Sequence, residues 1–349
     1  MRRLAFAVPG DIETATGGYA YDRRIIAELK DLGWRVDVVS LGGGFPRPDE
    51  RTRAAAGGIL AQVPEGCPIV VDGLALGVLP EAAARVSGRN PLIALVHHPL
   101  ALESGLPRAE ADDFRNSERA ALAQARRVIV TSAATGKTLS ADYGVPAGHI
   151  AVARPGNDAV AQARGSGDGI VRLIAVGSLV PRKGHDVLIA ALQTLRELPW
   201  RLTIAGNAEL DPHTAEKIKR QIAASGLAER ISLVGVVTAE ALATLYVQSD
   251  LFALASRFEG YGMAYTEAIA HGLPVIGTTG GAIPEAVPAG AGLLVEPGDV
   301  NALAGALRRL ISNNDERRIF AGAARAAATR LPAWRDSAKI FAATIEAAT

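Results

Sequence analysis

Twelve short apolar runs rich in β-branched residues, each separated from the next by a helix-length segment, constrain this chain more than any other feature. The first six fall at 4–8, 36–41, 69–71, 92–96, 128–131 and 150–153. The second six fall at 171–176, 202–205, 231–234, 251–254, 275–277 and 293–295. Strands that alternate with helices close most readily as βαβ units, because parallel neighbours need a long crossover and a helix provides it. The runs are largely continuous in apolar residues, with only scattered polar ones such as Asp37 and Arg172, so both faces of each sheet are expected to be covered. The pattern predicts an α/β chain with two doubly wound, Rossmann-like sheets.

At 349 residues the chain exceeds one ordinary hydrophobic core, which agrees with two domains. Between the two series lies Ala163-Arg164-Gly165-Ser166-Gly167-Asp168-Gly169, whose glycines and small polar residues favour neither strand nor helix. A hinge at 164–169 is therefore expected between domains 1–163 and 170–331. The remainder, 332–349, carries an amphipathic helical pattern from Trp334 to Ala348 and is expected to pack back on the first domain. Asp299 is placed to cap the helix that follows it, and Gly272 with Pro274 to close the one before. In paired sheets of this kind a ligand sits at the carboxyl ends of the strands, so the site is expected where the two domains face each other across a cleft.

Composition excludes several classes. A formal net charge of +1 gives no field that would draw the chain onto nucleic acid. Cys67 is the one cysteine, which rules out an internal disulfide and a zinc-thiolate cluster and points to a reducing compartment. The apolar run near the start is five residues long, too short for a signal peptide, and no run reaches the roughly 20 apolar residues of a membrane span. The expected location is the cytoplasm, with peripheral contact at the inner membrane surface compatible with the sequence. The six histidines show no metal-ligand spacing, so no metal is expected. Gly136-Lys137-Thr138 lacks the first glycine of a phosphate-binding loop, since Thr131 stands five residues before Gly136. No Gly-x-Gly-x-x-Gly follows an early strand, which argues against a dinucleotide-dependent oxidoreductase.

The richest segment is Arg257-Phe258-Glu259-Gly260-Tyr261-Gly262-Met263-Ala264-Tyr265-Thr266-Glu267-Ala268, directly after the run at 251–254. Gly260 and Gly262 allow the backbone to approach a ligand, and the N–H groups that open the next helix would point at an anion. Glu259 and Glu267 lie at different depths along this turn, unlike an acid/base pair. Each carboxylate suits two adjacent sugar or ribose hydroxyls.

This segment resembles the Glu-x7-Glu motif of the family 4 retaining glycosyltransferases, which have the GT-B fold. The resemblance implies that Glu259 holds hydroxyls of a donor sugar, that backbone at Gly260, Tyr261, Gly262 and Met263 meets the sugar and diphosphate, and that Glu267 meets the ribose. Gly177-Ser178-Leu179-Val180-Pro181-Arg182-Lys183-Gly184 is similar to the family's Gly-x-Leu-x-x-x-Lys-Gly segment. Arg182 and Lys183 would there stabilise the departing diphosphate, in the transition state more than in the ground state. Gly17 and Gly18 resemble the family's glycine-rich loop on the donor or acceptor side. In Val96-His97-His98-Pro99, His97 is chosen over His98 as the imidazole beside the donor sugar, and Glu103 is placed toward the acceptor.

Ser132, the stretch from Arg154 to Asp158, Gly206-Asn207, Gly235-Val236-Val237 and Thr279-Gly280-Gly281 stand at further strand ends, with Val236 expected against the base and Glu285 toward solvent. After Ala205 the family often has an acidic residue and a glycine, whereas this chain has Gly206-Asn207-Ala208-Glu209. The expected activity is a metal-independent, retaining transfer of a sugar from a UDP-, GDP- or ADP-sugar to a lipid, glycan or small-metabolite hydroxyl, with no cofactor. The alternatives are a nucleotide-sugar epimerase of the same fold and a nucleotide-sugar-binding protein without catalysis.

Overall fold

The computed structural model describes residues 2–349 and divides into two compact units. The first comprises Met1–Gly156 and Pro332–Thr349, the second Asn157–Leu331.

In the first unit six parallel strands, β1 (Arg2–Val8), β2 (Trp34–Ser40), β3 (Ile69–Asp72), β4 (Leu92–Val96), β5 (Arg127–Val130) and β6 (Ile150–Val152), form one sheet in the order β2-β1-β3-β4-β5-β6. Ile69, Val70 and Val71 of β3 and every residue of β4 are buried, as continuous apolar runs require when helices cover both faces. The helix Gly17–Asp31 buries Tyr21, Asp22, Ile25, Ile26 and Leu29, a stripe at three- and four-residue spacing. Asp22 is the anomaly on that stripe.

The helix Trp334–Glu346 belongs to this unit and buries Trp334, Ala338, Phe341 and Ile345. Its Phe341 ring stacks on Phe6 of β1 at 6.2 Å, and Trp334 lies against Tyr21 at 5.8 Å. Ser337 Oγ donates to the Arg154 carbonyl, and Arg126 Nη1 donates to the Ala348 carbonyl at 3.0 Å. Gly156 passes so close to Trp334 that a Cβ there would overlap the Trp334 backbone nitrogen.

The second unit holds β7 (Val171–Val176), β8 (Trp200–Ala205), β9 (Ile231–Gly235), β10 (Leu251–Ala253), β11 (Val275–Thr278) and β12 (Gly292–Val295), parallel and in the order β12-β11-β10-β7-β8-β9. The stretch 164–169, expected as a hinge, is stitched into this unit, and the units divide at Gly156 and Asn157 instead. Ala163 N donates to the His271 carbonyl (2.7 Å) and Arg164 N to the Val247 carbonyl (2.9 Å). Asp250 accepts from Ser166 N at 3.1 Å and from Arg172 N at 2.8 Å. The glycines at 165, 167 and 169 have φ of +73°, +68° and +81°, so they turn the chain sharply around that carboxylate.

Each sheet has one place where neighbouring strands send their connections to opposite sides: β1 and β3 in the first unit, β7 and β10 in the second. Loops leaving the carboxyl ends of such a pair diverge and open a crevice. No helix among the described residues is long and apolar enough to cross a membrane.

Candidate active site

In the second unit the loops after β7 and β10 carry Arg182, Lys183 and Glu259, and the fold brings all three together at the crevice. Arg182 Nη1 donates to Glu259 Oε2 at 2.9 Å, and Lys183 Nζ donates to Oε1 at 2.7 Å. Ser256 Oγ adds a bond to Oε1 at 2.6 Å. Glu259 is 5% exposed. Burial alone would raise its carboxyl, but Lys183 and Arg182 outweigh that cost and hold it at about 2. A carboxylate so fixed is a rigid hydrogen-bond acceptor that stays ionised across the physiological range.

Backbone contacts explain why the two loops meet. Gly184 has φ +63°, and a Cβ there would overlap the Ala255 carbonyl, so only glycine lets the 181–183 turn lie against the end of β10. Arg257 N donates to the Arg182 carbonyl at 2.7 Å, and Arg182 Nη1 also reaches the Phe258 carbonyl at 3.0 Å. Arg257 grips Asp186 through two bonds of 3.0 and 2.8 Å. The Thr279-Gly280-Gly281 turn wraps the other side, where Ala282 N donates to the Glu259 carbonyl at 2.9 Å.

Gly177 follows β7 and lies under the methylene stem of Lys183, where an added Cβ would come within 3.0 Å of Cδ. Its carbonyl faces His185 Nε2 at 3.1 Å. Burial holds that imidazole down at about 4, so it is neutral and its Nε2–H donates. Gly262, with φ +100°, starts the helix Met263–Ala270 with no side-chain cap. Tyr265 N donates to the Gly262 carbonyl at 3.0 Å, and the N–H groups ahead of it have no carbonyl one turn back to bond. Gly260 and Tyr261 complete the turn before it, and Tyr261 is buried. Glu267, four residues into the helix, accepts from Tyr246 Oη at 3.1 Å, and burial raises its carboxyl. Val236 is 58% exposed beyond β9, joined to the loop after β8 by the bond from Gly206 N to the Gly235 carbonyl.

In the first unit Gly17 and Gly18 open the helix capped by Thr16, whose side chain accepts from Tyr19 N at 3.2 Å. A Cβ on Gly17 would meet nothing within 4 Å, and one on Gly18 would make ordinary contact with the His97 ring at 3.5 Å, so space does not demand glycine at either position. His97 follows β4 with Nε2 at 3.1 Å from Asp22 Oδ1 and 3.7 Å from Asp72 Oδ2. Burial is the largest single influence and lowers the affinity of this imidazole for a proton, but the charge and hydrogen bond of Asp22 together with the charge of Asp72 outweigh it, and the net shift is upward. Burial and the charge of Asp22 push the Asp72 carboxyl up to about 7. His98 lies 3.3 Å from Glu103, the residue expected toward the acceptor. Ser132 is the N-cap of the helix Ala133–Asp142, with Thr135 N donating to it at 3.0 Å.

Asp22, Asp72 and His97 offer ligand atoms within 4.8 Å of one another, the one such group of three among the described residues. The 3.1 Å between His97 and Asp22 is that of a direct hydrogen bond, which needs no ion between them. Spacing along the chain does not reveal this group, since its members are 75 residues apart at the extremes. Ser256, Asp186 and His185 were likewise not singled out from the sequence. The one available signal was Asp22 itself, a charge on the apolar stripe of a helix.

Residues 161–327 match the model of "Glycosyl transferases group 1", and residues 69–160 that of "Glycosyltransferase Family 4". The MMP alpha-(1->4)-mannosyltransferase of Mycolicibacterium hassiacum is 28% identical over 87% of this chain and 76% of its own length. A GDP-mannose-dependent alpha-(1-6)-phosphatidylinositol monomannoside mannosyltransferase of Mycolicibacterium smegmatis is 36% identical over 46% of this chain and 44% of its own length. Among solved structures, sucrose-phosphate synthase from Thermosynechococcus elongatus superposes with a TM-score of 0.83 over 99% of both chains at 20% identity, which establishes the GT-B architecture. The two family matches run almost end to end from β3 to the helix before the unit boundary, and they take in every loop of the β7/β10 crevice. This chain is therefore a member of the group 1, family 4 glycosyltransferases.

Proposed function

We propose that this glycosyltransferase moves a sugar from a nucleotide diphosphate donor to an acceptor hydroxyl with retention at the anomeric carbon, without a metal ion. The observation that carries the reading is the clamp of Arg182 and Lys183 on Glu259 beside the uncapped helix at Gly262. Two fixed cations and a set of helix-end amides suit a diphosphate, and a fixed carboxylate suits the hydroxyls of the sugar attached to it. The backbone of Gly177 and of residues 260–263 would line the diphosphate, Glu267 would hold the ribose and Val236 would lie against the base. Gly17, Gly18 and His97 would meet the donor, and Glu103 the acceptor.

In the reaction, the bond from the anomeric carbon to the diphosphate oxygen breaks while negative charge grows on that oxygen. Arg182, Lys183 and the amides stabilise this charge more than they stabilise the bound donor, which lowers the barrier. The acceptor oxygen attacks from the face the diphosphate leaves, and its proton passes to the departing diphosphate. Glu259 is paired three times over, so it serves as a holder of hydroxyls and not as a nucleophile. GDP-mannose heads the donor candidates, because it is the donor named for the Mycolicibacterium smegmatis relative. The half-buried single thiol, Cys67, suits a reducing cytoplasm.

Thermal shift with GDP-mannose, UDP-glucose and ADP-glucose tests the donor, since a ligand that binds only the folded chain raises the melting temperature. One of the three should stand well above the others, and turnover with it should persist in excess EDTA. Loss of turnover in EDTA that a divalent ion restores would refute the role given to Arg182 and Lys183. Interconversion of the donor sugar without any acceptor would favour an epimerase.

A further inference from the structure

The helix Gly17–Asp31 buries a carboxylate where its other inward residues are apolar or aromatic. Asp22 is fully buried, with Oδ1 3.1 Å from His97 Nε2, while its Oδ2 is buried and has no hydrogen-bond partner. A buried carboxylate is costly unless it is paired, so its place on this stripe needs a compensating role. The surroundings fix the ring from several sides. Tyr21 meets it edge-on, with centroids 5.3 Å apart and planes at 87°. Thr131 Oγ1 donates to the His97 carbonyl at 3.2 Å and sets the backbone from which the ring projects. Asp72 Oδ2 lies 3.7 Å from the same Nε2, and its other oxygen accepts from Leu74 N at 2.7 Å, so that carboxyl cannot rotate freely.

We propose that Asp22 is a positioning residue for His97: it accepts the Nε2–H hydrogen bond and thereby leaves Nδ1 as the ring nitrogen that meets a substrate hydroxyl. The inference rests on the reading of His97 as a sugar-side residue. It assigns that contact to one nitrogen and names the group that enforces the choice. A hydrogen bond at one imidazole nitrogen sets what the other can do, because the neutral ring carries one proton between the two. With Nε2–H committed to Asp22, the neutral ring presents Nδ1 as an acceptor, and the protonated ring presents it as a donor. Asp72 acts as the second wall, since an imidazole turned by half a revolution would lose Asp22 and place a carbon against both carboxyl groups.

The ring spectrum of the native protein is the direct test. Long-range proton–nitrogen correlation on histidine-labelled chain, with His97 assigned by the signal lost in His97→Gln, reports which nitrogen carries the proton when the ring is neutral. A ring protonated at Nε2 is expected, and a ring protonated at Nδ1 overturns the proposal. Asp22→Asn should shift the ring to a mixture of both forms and lower kcat by roughly 10- to 100-fold with donor KM changed less than about threefold, the pattern of a misdirected imidazole in intact geometry. An unchanged ring spectrum in Asp22→Asn overturns the assignment, whatever its activity. Uptake of one Zn2+ or Mn2+ per native chain, lost in Asp22→Asn, would also overturn it and give the three groups to a cation. If none of the nucleotide sugars is turned over, the proposed function fails while the native ring spectrum still decides the role of Asp22.

Discussion

The two crevices occupy the same topological place in their sheets, β1 with β3 and β7 with β10, and their electrostatics run in opposite directions. At the second, one carboxylate faces two cations and is held at about 2. At the first, two carboxyl groups face one imidazole, and burial with the charge of Asp22 lifts Asp72 to about 7. The same architecture thus supports a permanently ionised clamp in one unit and a proton-sharing cluster in the other. What decides is the ratio of cations to carboxyls at the strand ends, because both sites are buried to a similar degree and pay a similar desolvation cost.

The strongest way to break this comparison is Glu259→Gln, which leaves Arg182 and Lys183 facing an amide. Removal of one partner from a buried pair should cost about 3–5 kcal/mol in urea unfolding of the ligand-free protein. Added GDP or UDP should recover part of that loss if a diphosphate takes the carboxylate's place between the cations. A cost below about 1 kcal/mol would show the clamp to be no stronger than a surface ion pair. Next in size, Lys183→Ala should lower kcat by at least roughly 100-fold, on the scale of one preorganised charge donor, and near-normal kcat would remove Lys183 from the chemistry.

Acid and base titration sharpen the contrast further. The Glu259 carboxyl is depressed in the folded chain, so its contribution is present above the ordinary glutamate value and is lost as pH falls from about 4.5 toward about 2. Asp72 is raised, so the folded chain keeps a proton that the unfolded chain has released, and stability falls as pH rises from about 4 to about 7. Asp72→Asn should flatten the melting-temperature profile between those two values, and an unchanged slope would place its origin elsewhere. The smallest effect is expected for Arg257→Gln. Its pair with Asp186 is about one-third exposed on each side, and its loss should cost no more than about 1 kcal/mol.

Much of this could be read from the sequence, for reasons that particular residues make clear. Strands such as 69–71 and 92–96 were visible because burial on both faces imposes an unbroken apolar run. The 257–268 segment was visible because its glycines, glutamates and helix start are contiguous, so local chemistry and site coincide. The hinge at 164–169 was misplaced because three positive-φ glycines read alike whether they move or turn, and the carboxylate that fixes them, Asp250, stands 84 residues from Ser166. Ser256, His185 and Asp22 were missed because a lone serine, histidine or aspartate carries no spacing signal: Ser256 and His185 act through bonds to Glu259 and to the Gly177 carbonyl that only the folded loops make, and the partner of Asp22, His97, stands 75 residues away. The glycines at 17 and 18 mark the opposite case, where a legible motif proves not to be required by space.

The helix Trp334–Glu346 lies over β1 and the Gly17–Asp31 helix, yet the ribosome delivers it only after all of Asn157–Leu331. While a nascent chain is being extended, the second unit has everything it needs in one continuous stretch, whereas the first waits with Phe6 and Tyr21 unsheathed. The earlier-made half is thus the later-finished one. A stalled or clipped polypeptide ending before Trp334 would present a greasy, half-built surface to chaperones and proteases while its partner half stands complete.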